Sequence, residues 1–156
     1  MTLFKSTESL EAYMKEAIIE AKKAYKLGEV PIGAVIVKNG EIIARSFNKK
    51  EIKKDPTSHA EIEVIKEATS KLNSWRLTDC DIYVTLEPCL MCSGAIYQSR
   101  IRRLVYGAKD IKMGMVESNL KVLDYDKLNH HVDVISGILE DECSELIKTF
   151  FKELRE

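Results

Sequence analysis

Apolar residues recur along this chain with two different periods, and the switches between them predict alternating helices and strands. In residues 9 to 27, Leu10, Tyr13, Met14, Ala17, Ile18, Ala21, Ala24 and Tyr25 fall at the i, i+3, i+4 spacing of one helical face. Gly28 follows as a helix stop. Two β-rich runs, Ile32 to Val37 and Ile42 to Phe47, are separated by Lys38-Asn39-Gly40-Glu41. Asn-Gly suits a tight turn whose central residues both take positive φ, so these runs are expected to form an antiparallel hairpin.

Asn48 to Thr57 reads as a polar loop with four lysines and Asp55-Pro56. Ser58-His59-Ala60-Glu61 then opens a helix that runs to about Leu72, with Ile62, Ile65, Ala68 and Leu72 as its apolar stripe. Asp81 to Leu86 is a strand. Pro88 suits the first position of the next helix, where a missing N–H costs nothing. That helix carries Cys89, Cys92, Ala95 and Ile96 and ends near Ser99. Arg103 to Gly107 and Val132 to Ile135 are short strands, and about Asp141 to Leu154 is a final helix. Strand–helix–strand connections favour parallel neighbours. The expected class is therefore α/β, a three-layer α/β/α sandwich around a central mixed five-stranded sheet. With 156 residues and no repeat or Pro/Ser-rich linker, the chain fits a single domain, residues 1–156.

Composition narrows the function classes. Apolar residues make up 45% and charged residues 31%, which excludes a predominantly disordered chain. No apolar run approaches the roughly 20 residues of a membrane-spanning helix. Met1-Thr2-Leu3-Phe4-Lys5-Ser6 lacks an apolar signal core, so a cytoplasmic location without a membrane partner is expected. The formal net charge of −1 gives no global attraction to nucleic acid, and any such binding must rest on a local patch. Without an export signal, the four cysteines are poor disulfide candidates. Cys80 and Cys143 read as core thiols, whereas Cys89 and Cys92 form a Cys-x-x-Cys pair suited to metal or redox chemistry.

Two short motifs carry the candidate chemistry: His59-Ala60-Glu61 and Pro88-Cys89-Leu90-Met91-Cys92. Thiolate sulfur and imidazole nitrogen are ready ligands for tetrahedral Zn2+. Cysteines three apart in a helix's first turn share a face and meet the positive end of its dipole, which favours thiolate. His59 supplies a third ligand, and three protein ligands leave one position for water, as in a catalytic zinc site. Glu61 fits better as a proton carrier than as a fourth ligand. Residues two apart diverge on a regular helix, so His59 and Glu61 converge only if the metal sits beyond the helix end. Bland readings exist for each residue taken alone. Ser58 and Glu61 have capping-box spacing, and a lone histidine is more often a surface or core residue. The combination His-x-Glu plus Pro-Cys-x-x-Cys is the known signature of zinc-dependent base deaminases, and that knowledge, rather than spacing alone, makes the assignment.

The chain also resembles the bacterial tRNA-specific adenosine deaminases of the cytidine-deaminase-like superfamily, from about Tyr13 to Arg155. The matching stretches include residues 29–35, 55–62, Tyr83-Val84-Thr85-Leu86-Glu87-Pro88-Cys89-Leu90-Met91-Cys92, Ser99-Arg100-Ile101 and Tyr106-Gly107-Ala108-Lys109-Asp110 with Lys112 and Gly114. The resemblance implies a cytidine-deaminase-like fold, one zinc ion per chain, a homodimer, and hydrolytic conversion of adenosine to inosine at the wobble position of a tRNA anticodon, usually in an arginine tRNA. The enzyme class implied is a hydrolase acting on a cyclic amidine C–N bond. Asn48 matches a residue that hydrogen-bonds the flipped base, and Asp110 and Lys112 match a loop that contacts the anticodon. Met115-Val116-Glu117 departs from the small residues often found after that glycine. Lys49, Lys50, Lys53, Lys54, Arg100, Arg102, Arg103, Lys109 and Lys112 are candidate phosphate contacts, although for any single one an ordinary solvated charge is the better reading. Two alternatives stay open: a deaminase of a free base or nucleotide, and a non-catalytic zinc-stabilised RNA-binding module.

Overall fold

The computed structural model describes residues 7–156. The reading of Met1 to Ser6 lies outside the described residues. The first helix, α1 (Thr7–Lys26), is followed by strands β1 (Gly33–Lys38) and β2 (Glu41–Phe47) and a one-turn helix α2 (Lys50–Lys53). Next come α3 (Ala60–Leu72), β3 (Cys80–Leu86), α4 (Leu90–Gln98) and β4 (Arg103–Ala108). A 3-10 turn at Val122–Asp124, β5 (Asp133–Ile135) and α5 (Glu140–Arg155) complete the chain.

The strands form one mixed sheet in the order β2-β1-β3-β4-β5. Asn39 and Gly40 take φ of 51° and 79° between β1 and β2, as the Asn-Gly turn requires. Alternation along the strands divides the core into two layers. Ala34, Ile36, Ile82, Val84, Leu104 and Tyr106 pack on one side with Ala60, Val64 and Ala68 of α3 and Ile96 of α4. Val35, Val37, Tyr83 and Val105 face the other side, against Leu10, Met14, Ala17 and Ile18 of α1 and Cys143 of α5. This is the expected three-layer α/β/α sandwich. Cys80 and Cys143 are both buried free thiols, as core residues should be.

Strand directions decide where the chemistry gathers. Because β1 runs antiparallel to both β2 and β3, those two strands share a direction. β4 runs parallel to β3. The segments that leave β2, β3 and β4 therefore all emerge at the same end of the sheet, the end where open α/β sheets bind ligands. These segments carry Asn48 and His59, then Cys89, then Asp110.

Three local expectations need correction. The polar loop after Asn48 contains the short helix α2. Its first amides are satisfied from afar, with the buried Glu29 carboxylate accepting from the N–H groups of Glu51 (3.1 Å) and Ile52 (2.6 Å). Pro88 is not the first helical residue, because α4 starts at Leu90 with Cys89 as its extended N-cap (φ −76°, ψ −179°). The Pro88 carbonyl is drawn outward to accept from Met115 N–H at 3.0 Å, which keeps Pro88 out of the helix. On α3 the buried stripe is Ala60, Val64 and Ala68; Ile65 and Leu72 pack at its margin and Ile62 is only half-buried.

Candidate active site

His59 is the N-cap of α3 with extended backbone (φ −73°, ψ 156°), and Cys89 is the N-cap of α4. Both side chains thus project from helix starts rather than from helix sides. Cys92 sits in the first turn of α4 and is buried. His59 Nδ1 lies 3.7 Å from Cys89 Sγ and 3.5 Å from Cys92 Sγ, and the three ligand atoms fall within 4.8 Å of one another. A tetrahedral zinc with Zn–S of about 2.3 Å and Zn–N of about 2.05 Å separates N from S by about 3.5 Å. The donor set and its spacing fit that ion.

Because His59 caps the helix, Glu61 is its second residue, and its carboxyl group lies against Cys92 and near Cys89 and His59. This resolves the divergence expected on a regular helix. Glu61 is 4% exposed, and its Oε1 meets no protein partner among the described residues. The capping-box reading fails, since α3 has no side-chain cap hydrogen bond.

The electrostatics agree with a cation between these groups. Burial pushes the Glu61 carboxyl up to about 7, and the charge on Cys89 adds to the rise. The Cys89 thiol is pulled down to about 4, chiefly by the hydrogen bond from Cys92, with His59 and the Cys92 backbone N–H contributing. Cys92 moves upward for the same reason in reverse, since it donates to the Cys89 thiolate and is itself buried. His59 is raised mainly by its hydrogen bond with Cys89. Two sulfurs and a carboxylate thus compete for negative charge in one place. A divalent ion removes that competition by stabilising both thiolates.

Asn48 is buried at the end of β2. Its Nδ2 donates to the Val30 carbonyl at 3.2 Å, and its Oδ1 accepts from Lys50 N–H at 3.2 Å. The next amide, Lys49 N–H, donates to the Ser58 carbonyl at 2.9 Å, which ties Asn48 to the segment bearing His59. Asp110 and Lys112 occupy the loop after β4. Asp110 Oδ1 accepts from Met113 N–H at 3.1 Å and so shapes that loop, while Lys112 is exposed.

The basic residues grouped by sequence separate in space. Arg103 pairs with Asp81 at the opposite end of β3, five residues or about 17 Å of strand from the site end. Arg102 is bound to Asp81 at 3.0 Å, Lys53 to Glu63 at 2.7 Å, and Arg100 folds back on the Tyr97 and Gln98 carbonyls. Lys49, Lys50, Lys54, Lys109 and Lys112 belong to the two connections at the site end, Lys50 within α2.

Two residues of the site were not legible as such in the sequence. Glu29 and Glu87 are 1% and 2% exposed, and each anchors a loop that borders the cluster. Their only sequence signal is an acidic residue set beside strand and proline positions, and burial alone identifies them.

A sandwich of this topology, with one histidine and two cysteines at the starts of two neighbouring helices and a buried glutamate against them, defines a deaminase of the cytidine-deaminase-like class. Residues 8–155 match the family model of the MafB19-like deaminases. A tRNA-specific adenosine deaminase of Bacillus subtilis (strain 168) is 52% identical over 145 residues, covering 93% of this chain and 90% of the relative. A second, from Aquifex aeolicus (strain VF5), is 51% identical over 145 residues, covering 93% and 95%. A solved structure from work on A-to-I editing by tRNA:A34 deaminases at the wobble position superposes with a TM-score of 0.84 at 48% identity, covering 86% of this chain and 98% of that one. The chain belongs to the tRNA-specific adenosine deaminase family.

Proposed function

We propose that this protein is a zinc-dependent deaminase that hydrolyses adenosine to inosine at the wobble position of a tRNA anticodon. The observation that carries the reading is the three-ligand cluster with buried Glu61 beside it, one carboxylate oxygen of which has no partner. His59, Cys89 and Cys92 would hold one zinc ion per chain, and zinc bound there would supply a water molecule of near-neutral pKa. Glu61 accepts a proton from the attacking water and delivers it to the adenine ring nitrogen, which makes C6 more electrophilic. The same carboxylate then takes the proton of the new C6 hydroxyl and passes it to the departing amino group, so that water and adenosine become inosine and ammonia.

Asn48 spends one amide hydrogen on Val30 and keeps a second to orient the base. A base in a single-stranded anticodon loop flips toward this site at less unstacking cost than one in a duplex. Asp110, Lys112 and the lysines of the two loops face the RNA around that base. A site with three protein ligands supports an enzyme over a zinc-stabilised binding module, because structural zinc sites are closed by four protein ligands. The protein acts as one deaminase domain, in the cytoplasm, as a homodimer, on an arginine tRNA. No helix among the described residues is long and apolar enough to cross a membrane.

The test is inosine formation in an arginine-tRNA anticodon stem-loop by purified, zinc-loaded protein, beside free adenosine, guanine, cytosine and nucleotides. Inosine at the wobble position is the expected product. Ammonia released only from the free bases or nucleotides overturns the reading.

A further inference from the structure

Glu87 precedes the metal-bearing turn by two residues, yet its side chain points away from the cluster's chemistry and into the backbone of the 110–118 loop. Its Oε2 accepts from the N–H groups of Val116 (3.2 Å), Glu117 (2.8 Å) and Ser118 (2.9 Å). Its Oε1 accepts from Asp110 N–H at 3.1 Å and from the Ser118 hydroxyl. One carboxylate, 2% exposed, thus collects both ends of a loop that otherwise projects Ile111, Lys112 and Met113 into solvent. The flanking backbone joins the same arrangement, with Glu87 N–H donating to Ala108 O at 2.8 Å and Met115 N–H to Pro88 O at 3.0 Å.

Gly114 supplies independent support. It is buried in the middle of the loop, and a Cβ added there would collide with the carboxyl group of Glu87 and the carbonyl of Asp110. Its φ is not in the left-handed region, so glycine is required here for close approach rather than for conformation.

We propose that Glu87 is a positioning residue that sets the 110–118 loop against the Pro88–Cys92 turn and thereby fixes how the RNA seats over the zinc site. Four backbone amides and a hydroxyl converging on one buried charge specify a single loop geometry. Charge-assisted bonds of this kind hold at a loop's base while leaving its tip exposed. Asp110 stands at that base, and Lys112 on the exposed tip it carries. The RNA part of this inference rests on the proposed function; the loop part does not.

The test compares full-length, zinc-loaded wild type with Glu87→Gln and Gly114→Ala. Glutamine keeps the shape but loses the charge, while alanine at 114 wedges the loop off an intact Glu87, so the two variants disturb one contact from opposite sides. Three measurements are made: hydrogen exchange at the amides of residues 110, 116, 117 and 118, zinc content, and kcat and KM on the anticodon stem-loop. The expected result is faster exchange at those four amides and full zinc occupancy. KM rises by about 10- to 100-fold, the scale of losing hydrogen bonds to a charged group, with kcat little changed. Unaltered exchange at those amides in both variants overturns the clamp. A fall in kcat at constant KM overturns the positioning role. Wild type inactive on RNA refutes the proposed function and the seating role with it, and the exchange data still decide whether Glu87 holds the loop.

Discussion

Replacing Glu61 by glutamine keeps the volume of the side chain and removes its ability to take and return a proton. General acid–base catalysis by one positioned group accounts for about 10²- to 10⁴-fold in rate. The surroundings place this case at the upper end. Glu63, two residues along α3, is bound to Lys53 at 2.7 Å. The Glu87 oxygens are occupied by the 110–118 loop. With neither carboxylate able to substitute, and with Glu61 serving both the ring nitrogen and the leaving amine, kcat on the anticodon stem-loop should fall about 10⁴-fold. That corresponds to about 5 kcal/mol of transition-state stabilisation. The proposed assignment keeps Glu61 out of the ligand set, so one zinc per chain should remain by atomic emission. Glu63→Gln, on the same helix, should leave kcat unaltered and lower stability by releasing Lys53. The assay is single-turnover inosine formation with metal content measured on the same samples. Glu61→Gln retaining more than about a tenth of wild-type kcat would refute the proton-carrier role, and loss of zinc in that variant would move Glu61 into the ligand set.

At Gly33 a methyl group would run into the Ala17 carbonyl and Ala21 amide of α1. Because these obstacles are backbone, Gly33→Ala should lower unfolding stability by about 3 kcal/mol in urea titrations, the upper range for overpacking, and an unchanged midpoint would show that α1 lies farther from β1. Burial pushes the Cys143 thiol up to about 12 and raises Cys80 as well, while Cys89 is pulled down to about 4 chiefly by its bond from Cys92. In folded, chelator-treated protein at neutral pH a thiol reagent should therefore label Cys89 first and leave Cys80 and Cys143 silent until denaturant is added; rapid labelling of Cys143 in the folded state contradicts this.

The sequence alone determined the alternation of helices and strands, the Asn-Gly hairpin and the identity of the candidate metal ligands. Those features are set by local rules: apolar periodicity, the positive φ that Asn39 and Gly40 accept, and the ligand chemistry of imidazole and thiolate. Helix boundaries were less legible. Pro88 lies outside α4 because its carbonyl answers an amide 27 residues later, and α2 forms because Glu29 reaches it from across the fold. Only Glu61 stood in a recognisable motif; tertiary structure alone decided what the other buried glutamates do. Glu29, Glu61, Glu63 and Glu87 are chemically the same residue. One holds α2, one faces the cluster with a free carboxylate oxygen, one neutralises Lys53, and one gathers the 110–118 loop. The physical reason is that a carboxylate's role follows from what surrounds it after burial, and those partners come from strands and loops that only the folded sheet brings together.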